Sequence, residues 1–226
     1  MIKKIKIKKF NGKDFYDVED CIAVEEIYNI FINGEFVKFL SLSPNFLNEF
    51  AVGFAISEGF LNKIDKVEVD KNNIYIFGEK INKIKSNKNN KEIKIDIETL
   101  RKIISYKIKA KYWEITGSFH WASIFDLKGN NIIFVEDIGR YNAIDKVIGY
   151  AILNNYNLNE LILKCSGRIP YEIVKKAINS GLNVIISKSP PTDKAINLAE
   201  KNNILLIGFA RNGKFNIYTS EDIWEK

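Results

Sequence analysis

Apolar and polar residues alternate along the first residues of the chain, where Ile2-Lys3-Lys4-Ile5-Lys6-Ile7-Lys8 follows an imperfect period of two. That period predicts an opening strand. Cys21 to Ile32 is rich in β-branched and aromatic residues, and the turn pair Asn33-Gly34 separates it from Glu35-Phe36-Val37-Lys38-Phe39-Leu40, so a hairpin is expected here. Ser43-Pro44 then supplies an N-cap and a first-turn proline. Phe46, Leu47, Phe50, Ala51 and Phe54 fall on one helical face before Gly59 stops the helix. A second hairpin is predicted where Val67-Glu68-Val69 and Ile74-Tyr75-Ile76-Phe77 flank Asp70-Lys71-Asn72-Asn73.

Residues 79 to 95 are dominated by Lys, Asn and Ile and are expected to form a mobile connection. Helical spacing returns from Ile97 to Ala110 through Leu100, Ile103, Ile104 and Ile108. The expected division is a smaller α+β domain over 1–96 and a larger α/β domain over 97–226. In the larger domain the order from Thr116 is strand, Lys128-Gly129-Asn130 turn, strand, and then helices 141–154, 170–180 and 192–202 alternating with further strands. Repeated strand-helix alternation implies crossover connections and a mostly parallel sheet with helices on its faces, begun by an antiparallel hairpin.

Composition supports a globular chain: 46% of its 226 residues are hydrophobic and 12% aromatic, enough for one sizeable core, or for one core with a small satellite domain. No stretch approaches the roughly 20 apolar residues of a membrane span, and the amino terminus lacks the apolar block of a signal peptide, so a cytoplasmic protein is expected. Cys21 and Cys165 are the two cysteines and lie far apart, which argues against a disulfide framework or a C-x-x-C pair. With one histidine, His120, no metal cage is expected. The net charge of +6 suits an anionic partner, but no helix-turn-helix, zinc finger or aromatic RNA-binding pattern accompanies it, so nucleic acid is not the expected ligand.

Candidate chemistry gathers where strands run into helices. In open α/β sheets, ligands collect at the carboxyl ends of strands, and helix N-termini there favour anions. Three such junctions carry polar runs: Glu136-Asp137-Ile138-Gly139-Arg140-Tyr141-Asn142, Ser166-Gly167-Arg168-Ile169-Pro170-Tyr171-Glu172, and Ser187-Lys188-Ser189-Pro190-Pro191-Thr192. Arg140 and Arg168 each follow a glycine, which lets the backbone approach a ligand while the guanidinium offers a two-pronged donor. Taken singly, each arginine also reads as a loop-closing ion pair with Glu136, Asp137 or Glu172. Glu136 and Asp137, beside Asp145 and Lys146, could orient a ligand hydroxyl or guanine edge, and carboxylates are equally ordinary helix-start residues. His120, in Thr116-Gly117-Ser118-Phe119-His120, reads either as a ligand contact or as a satisfied structural residue. Phe209-Ala210-Arg211-Asn212-Gly213-Lys214 predicts a hairpin turn, with basic groups beside an aromatic as an additional ligand surface.

Thr116-Gly117-Ser118-Phe119-His120, the run from Glu136 to Lys146, Ser166-Gly167-Arg168-Ile169-Pro170-Tyr171-Glu172, Ser189-Pro190-Pro191-Thr192 and Gly208-Phe209-Ala210-Arg211 occur in an order and spacing that resembles the FdhD/NarQ family. Asn33-Gly34 and Gly53-Phe54-Ala55-Ile56-Ser57-Glu58-Gly59 extend the likeness over most of the chain. The resemblance implies a cytidine-deaminase-like α/β core with a smaller added domain, a homodimer, and a part in formate dehydrogenase maturation with that enzyme's catalytic subunit as partner. It further implies binding of the bis-molybdopterin guanine dinucleotide cofactor of molybdenum or tungsten, with GDP as an analogue, and transfer of sulfur to it from a cysteine desulfurase. Carried over onto this sequence, the cofactor-binding positions are Thr116, Gly117, His120, Glu136, Asp137, Gly139, Arg140, Asn142, Asp145, Lys146, Ser166, Gly167, Arg168, Tyr171, Glu172, Ser189, Thr192 and the segment Phe209 to Lys214.

Ser118, Tyr141 and Pro190 depart from the family pattern, and the larger departure is the missing C-x-x-C whose cysteine would carry the persulfide. Residues 79 to 95, where it is expected, contain no sulfur. Cys165, at the end of a predicted strand beside Ser166-Gly167-Arg168, is the remaining candidate carrier, against its reading as a buried small hydrophobe. The sequence therefore leaves three readings: a cofactor-binding protein that transfers sulfur, one that binds without transfer, and a basic scaffold for RNA or a protein.

Overall fold

Period-two alternation makes a ribbon of the amino terminus. In the computed structural model, which describes residues 1–81 and 95–219, β1 (Ile2–Phe10) pairs antiparallel with β2 (Phe15–Ala23). Residues directly opposite share a face. One face presents half-buried Ile5, Ile7 and Val18, and the other pairs Lys4 with Glu19 and Lys8 with Asp17.

The next sheet has the order β4-β3-β6-β5, from β3 (Glu26–Ile32), β4 (Glu35–Leu42), β5 (Leu61–Asp70) and β6 (Asn73–Lys80). Asn33 and Gly34 both have positive φ, 50° and 83°, as a tight two-residue hairpin turn requires. Helix α1 (Leu47–Ser57) lays Phe50, Ala51, Phe54 and Ala55 on Tyr28, Ile30, Ile32, Ile74 and Ile76. It starts later than the Ser43-Pro44 signal predicts, because Ser43 is engaged elsewhere: its N–H donates to Asp137 and its hydroxyl accepts from the Ile138 N–H. Gly59 ends α1 as expected. Its N–H bonds to the Ile56 carbonyl and that of Phe60 to Ala55, and its φ of 80° closes a Schellman turn.

The expected connection over 79–95 begins on the last residues of β6, and its stretch 82–94 lies outside the described residues. The helix expected over 97–110 stops at Ser105, and a separate short helix begins just beyond that range at Lys111. Asp96 caps α2 (Ile97–Ser105) by accepting the Thr99 N–H, and Lys164 Nζ donates to the Ile103 and Ile104 carbonyls at its other end. Glu136 then accepts the Tyr112 and Trp113 N–H groups that open α3 (Lys111–Thr116).

The third sheet has the order β12-β11-β10-β9-β7-β8. Its strands are β7 (His120–Asp126), β8 (Asn131–Asp137), β9 (Leu161–Cys165), β10 (Val184–Ser187), β11 (Leu205–Arg211) and β12 (Lys214–Ile217). β9, β10 and β11 run parallel, with β7 antiparallel to both β8 and β9, as the strand-helix alternation and opening hairpin predict. Helices α4 (Arg140–Leu153), α5 (Tyr171–Ser180) and α6 (Asp193–Lys201) join one core through Ile144, Val147, Ile173, Val174, Ala195 and Ala199. On the other face, α2 buries Leu100, Ile103 and Ile104 with Phe125, Ile162 and Ile186. The protein is thus a mixed α/β chain with helices on both faces of its principal sheet.

Candidate functional site

Strand directions place the polar loops together. β8, β9, β10 and β11 all end at one edge of the six-stranded sheet, and antiparallel β7 begins there, with His120 opposite Asp137 and Ala122 opposite Cys165. The loops at that edge brace one another. Ser187 Oγ donates to the Gly167 carbonyl at 2.6 Å, Ser189 Oγ to the Ser166 carbonyl at 3.0 Å, and Ile169 bridges to Pro191. Gly208 of β11 joins them, since a Cβ there would stand 3.1 Å from Pro191 Cδ and 3.2 Å from the Ser189 carbonyl.

Arg140 opens α4 with its guanidinium 4.5 Å from the centre of the Tyr141 ring and one nitrogen donating to the Tyr141 hydroxyl at 3.1 Å. Its Nε is buried and has no hydrogen-bond partner among the described residues. Gly167 lies against it: a Cβ on that glycine would be 3.1 Å from Arg140 Cδ and 3.6 Å from His120 Nδ1. Close approach, not backbone conformation, is therefore what requires glycine here. His120 is half-buried, and burial first and the Arg140 charge second hold its pKa below the ordinary imidazole value, partly offset by Asp137. Arg168 and Arg211 stand exposed on the neighbouring strand-end segments.

These observations meet a family. A model of the FdhD/NarQ family matches residues 73–224. The chain belongs to the FdhD/NarQ family. It is 85% identical to Protein FdhD of Methanocaldococcus jannaschii over the whole of both chains, and 36% identical to the Sulfur carrier protein FdhD of Sulfolobus acidocaldarius over 96% of each. Its fold is similar to the crystal structure of a putative formate dehydrogenase accessory protein from Desulfotalea psychrophila, at a TM-score of 0.85, with 99% of both chains covered and 21% identity.

Within this FdhD/NarQ chain, several residues of the matching motifs are committed to the protein itself. Asp137 accepts hydrogen bonds from Ser43 N–H, Gly139 N–H, Asn142 Nδ2 and Lys146 Nζ, and Lys146 also donates to the Ser43 carbonyl and Asn45. Asp145 accepts from the Ser57 hydroxyl and from Lys176, between α1, α4 and α5. Glu136 caps α3, Thr192 caps α6 by accepting the Ala195 N–H, and Gly117 is the left-handed C-cap of α3, which ends on Thr116. The buried members of this set build the edge, where the sequence offers them as ligand contacts.

Other candidates are accessible. Tyr171, Glu172, Phe209 and Lys214 are exposed, Ala210 is buried, and Asn212-Gly213 forms the predicted turn with φ of 53° and 73°. A cavity of 460 Å³ opens beside the α4 N-terminus, lined by Ile22, Ala23, Glu25, Ser41, Ser118 and Gly139 among others. Sequence reasoning missed its amino-terminal wall, because nothing local in Ile22 to Glu25 announces a neighbour more than 90 residues away. Lys188, whose Nζ lies 5.3 Å from a Trp121 ring centre, adds a further cation at this edge.

Cys165 is buried at the end of β9, with its Sγ 3.8 Å from the Gly167 carbonyl, and burial pushes its thiol up to about 11. Among the described residues no group of His, Cys, Asp and Glu could hold a metal ion, and no helix is long and apolar enough to cross a membrane.

Proposed function

We propose that this chain serves formate dehydrogenase as an accessory protein by binding the guanine-dinucleotide form of the molybdenum or tungsten bis-pterin cofactor through its diphosphate. The observation that carries the reading is the buried, unpartnered Nε–H of Arg140 beside His120 and Gly167. A buried cationic donor without an acceptor is costly, and an anionic oxygen would satisfy it. The edge suits such a ligand: Gly167 lets the Arg140 side chain pack against its backbone, and exposed Arg168, Arg211 and Lys188 add positive charge. Arg140 and His120 would hold phosphate oxygens, with Arg168 and Arg211 engaging the rest of the charged tail. Charge-assisted contacts of this kind contribute about 1.5–3 kcal/mol each.

Thermal melting with GDP tests the reading. Ligand at about 100 times its dissociation constant should stabilise the wild type by about 2.7 kcal/mol and Arg140→Ala by much less. An unchanged wild-type melting temperature would count against it.

Relatives that carry the name of sulfur carriers bring a second reading, which the position of Cys165 beside Ser166-Gly167 favours. Here the Cys165 thiolate would attack the terminal sulfur of a desulfurase persulfide, breaking that S–S bond, forming a new one on Cys165 and leaving the donor as a thiolate. Burial of the thiol opposes this, since the thiolate is the reactive form. Incubation with a cysteine desulfurase and cysteine, followed by intact-mass measurement, separates the two. A sulfur gained by the wild type and lost in Cys165→Ser would establish transfer.

A further inference from the structure

Ser166 Oγ accepts the Trp121 N–H at 3.0 Å and lies 3.3 Å from His120 Nδ1. A serine hydroxyl has one proton to give, and with the Trp121 N–H already occupying a lone pair, the imidazole nitrogen is an acceptor in reach of that proton. The opposite arrangement, with the proton on Nδ1, would leave the half-buried Ser166 hydroxyl without this acceptor. An imidazolium, carrying protons on both nitrogens, would in addition set a second positive charge beside Arg140. Asp137 is the carboxylate that faces the ring from β8, and its oxygens are engaged by Lys146, Asn142 and two backbone N–H groups. Lys188, from the loop after β10, adds positive charge near Trp121.

We infer that Ser166 is a positioning residue that holds His120 as the neutral Nε2–H tautomer, so that the ring presents a donor, not a lone pair, to the anionic oxygen attracted by Arg140. The inference deepens the proposed binding function and rests on it for the identity of the ligand. Its physical content is a pair of donors, Arg140 Nε–H and His120 Nε2–H, offered to phosphate-type oxygens. Burial and the Arg140 charge both keep the ring neutral near pH 7.

The chain has one histidine, so its imidazole signals in a long-range ¹H–¹⁵N spectrum need no assignment. At pH 7 the wild type should show a protonated Nε2 and a bare Nδ1. In Ser166→Ala the two tautomers should mix and the titration midpoint should rise, because the hydrogen bond that favours the neutral ring is gone, and Ser166→Thr should restore the wild-type pattern. A wild-type ring protonated on Nδ1, or a Ser166→Ala spectrum identical to the wild type, overturns the inference. Should Ser166→Ala fail to fold, the wild-type tautomer decides the matter by itself. Inorganic pyrophosphate added to the wild type should shift the Nε2 signal. If the tautomer is as stated and pyrophosphate moves nothing, the binding reading fails while the positioning role of Ser166 stands.

Discussion

Gly53 of α1 and Gly149 of α4 face each other so closely that a Cβ on either would stand 2.8 Å from the backbone nitrogen of the other. The neighbouring carbonyls are nearer still: a Cβ on Gly53 would fall 1.8 Å from the Asp145 oxygen, and one on Gly149 1.7 Å from that of Glu49. These contacts are with backbone, which cannot swing aside as a side chain can. The four-stranded sheet, through α1, is therefore locked to the helix whose first residue is Arg140.

Gly149→Ala should force the two helices apart and cost about 3 kcal/mol or more, at the upper end of what overpacking a core does. Urea unfolding checks it, through a lowered midpoint at unchanged slope. A loss under about 1 kcal/mol would mean that the helices separate freely.

A second lock is electrostatic. Asp137 and Lys146 form a fully buried pair at 2.5 Å, and Asp137→Ala would leave the Lys146 ammonium without its carboxylate. Removing one partner of such a pair costs about 3–5 kcal/mol. The double variant Asp137→Asn, Lys146→Met should lose less than the sum of its single changes, because neither residue then strands a charge. Additive losses in denaturant unfolding would refute the coupling.

What could be read in the sequence, and what could not, divides along sequence distance. The Asn33-Gly34 turn, the Gly59 stop and the strand-helix alternation after β8 are local chemistry, and they stand in the structure as the pattern predicts. The Gly-Arg loops were legible as one edge because parallel strands deliver their carboxyl ends together. Ser43 has the local signature of a helix cap, but its partners, Asp137 and Ile138, lie more than 90 residues on. For Glu136 and Asp137 the sequence leaves two readings open, because a strand-end carboxylate has the same local signature whether it meets a ligand or a backbone N–H. Gly53, beyond its place in the family-like run, and Gly149 carry no packing signal except a mild helix penalty, and their meaning exists only once α1 and α4 touch.

Thiol chemistry should separate the two cysteines. Cys21 is half-buried on the amino-terminal ribbon, whereas Cys165 is fully enclosed with its thiol pushed up to about 11. At pH 8 in native buffer, N-ethylmaleimide should therefore add to Cys21 first, and intact mass should show a second adduct only in denaturant. Rapid native modification of Cys165, seen by peptide mapping, would contradict its burial and revive it as a sulfur carrier.

Lys164 makes the pH dependence of stability informative. Its ammonium is buried on β9 against the carbonyls that end α2, and burial first and the charge of Lys188 second bring its pKa down to about 8 from the ordinary 10.5. Below pH 8 both folded and unfolded chains carry the proton, and the fold bears the full cost of enclosing it. Between about 8 and 10.5 the unfolded chain still holds a proton that the folded chain has released, so this lysine makes stability rise with pH. The rise is on the order of 3 kcal/mol across that window. Other lysines and tyrosines titrate there too, so the measurement is the difference between wild type and Lys164→Met, each unfolded in urea at several pH values from 7 to about 10.5. The variant should lack the rise and lose ground to the wild type as pH increases. Curves that stay parallel throughout would show that Lys164 keeps its ordinary proton affinity inside the fold.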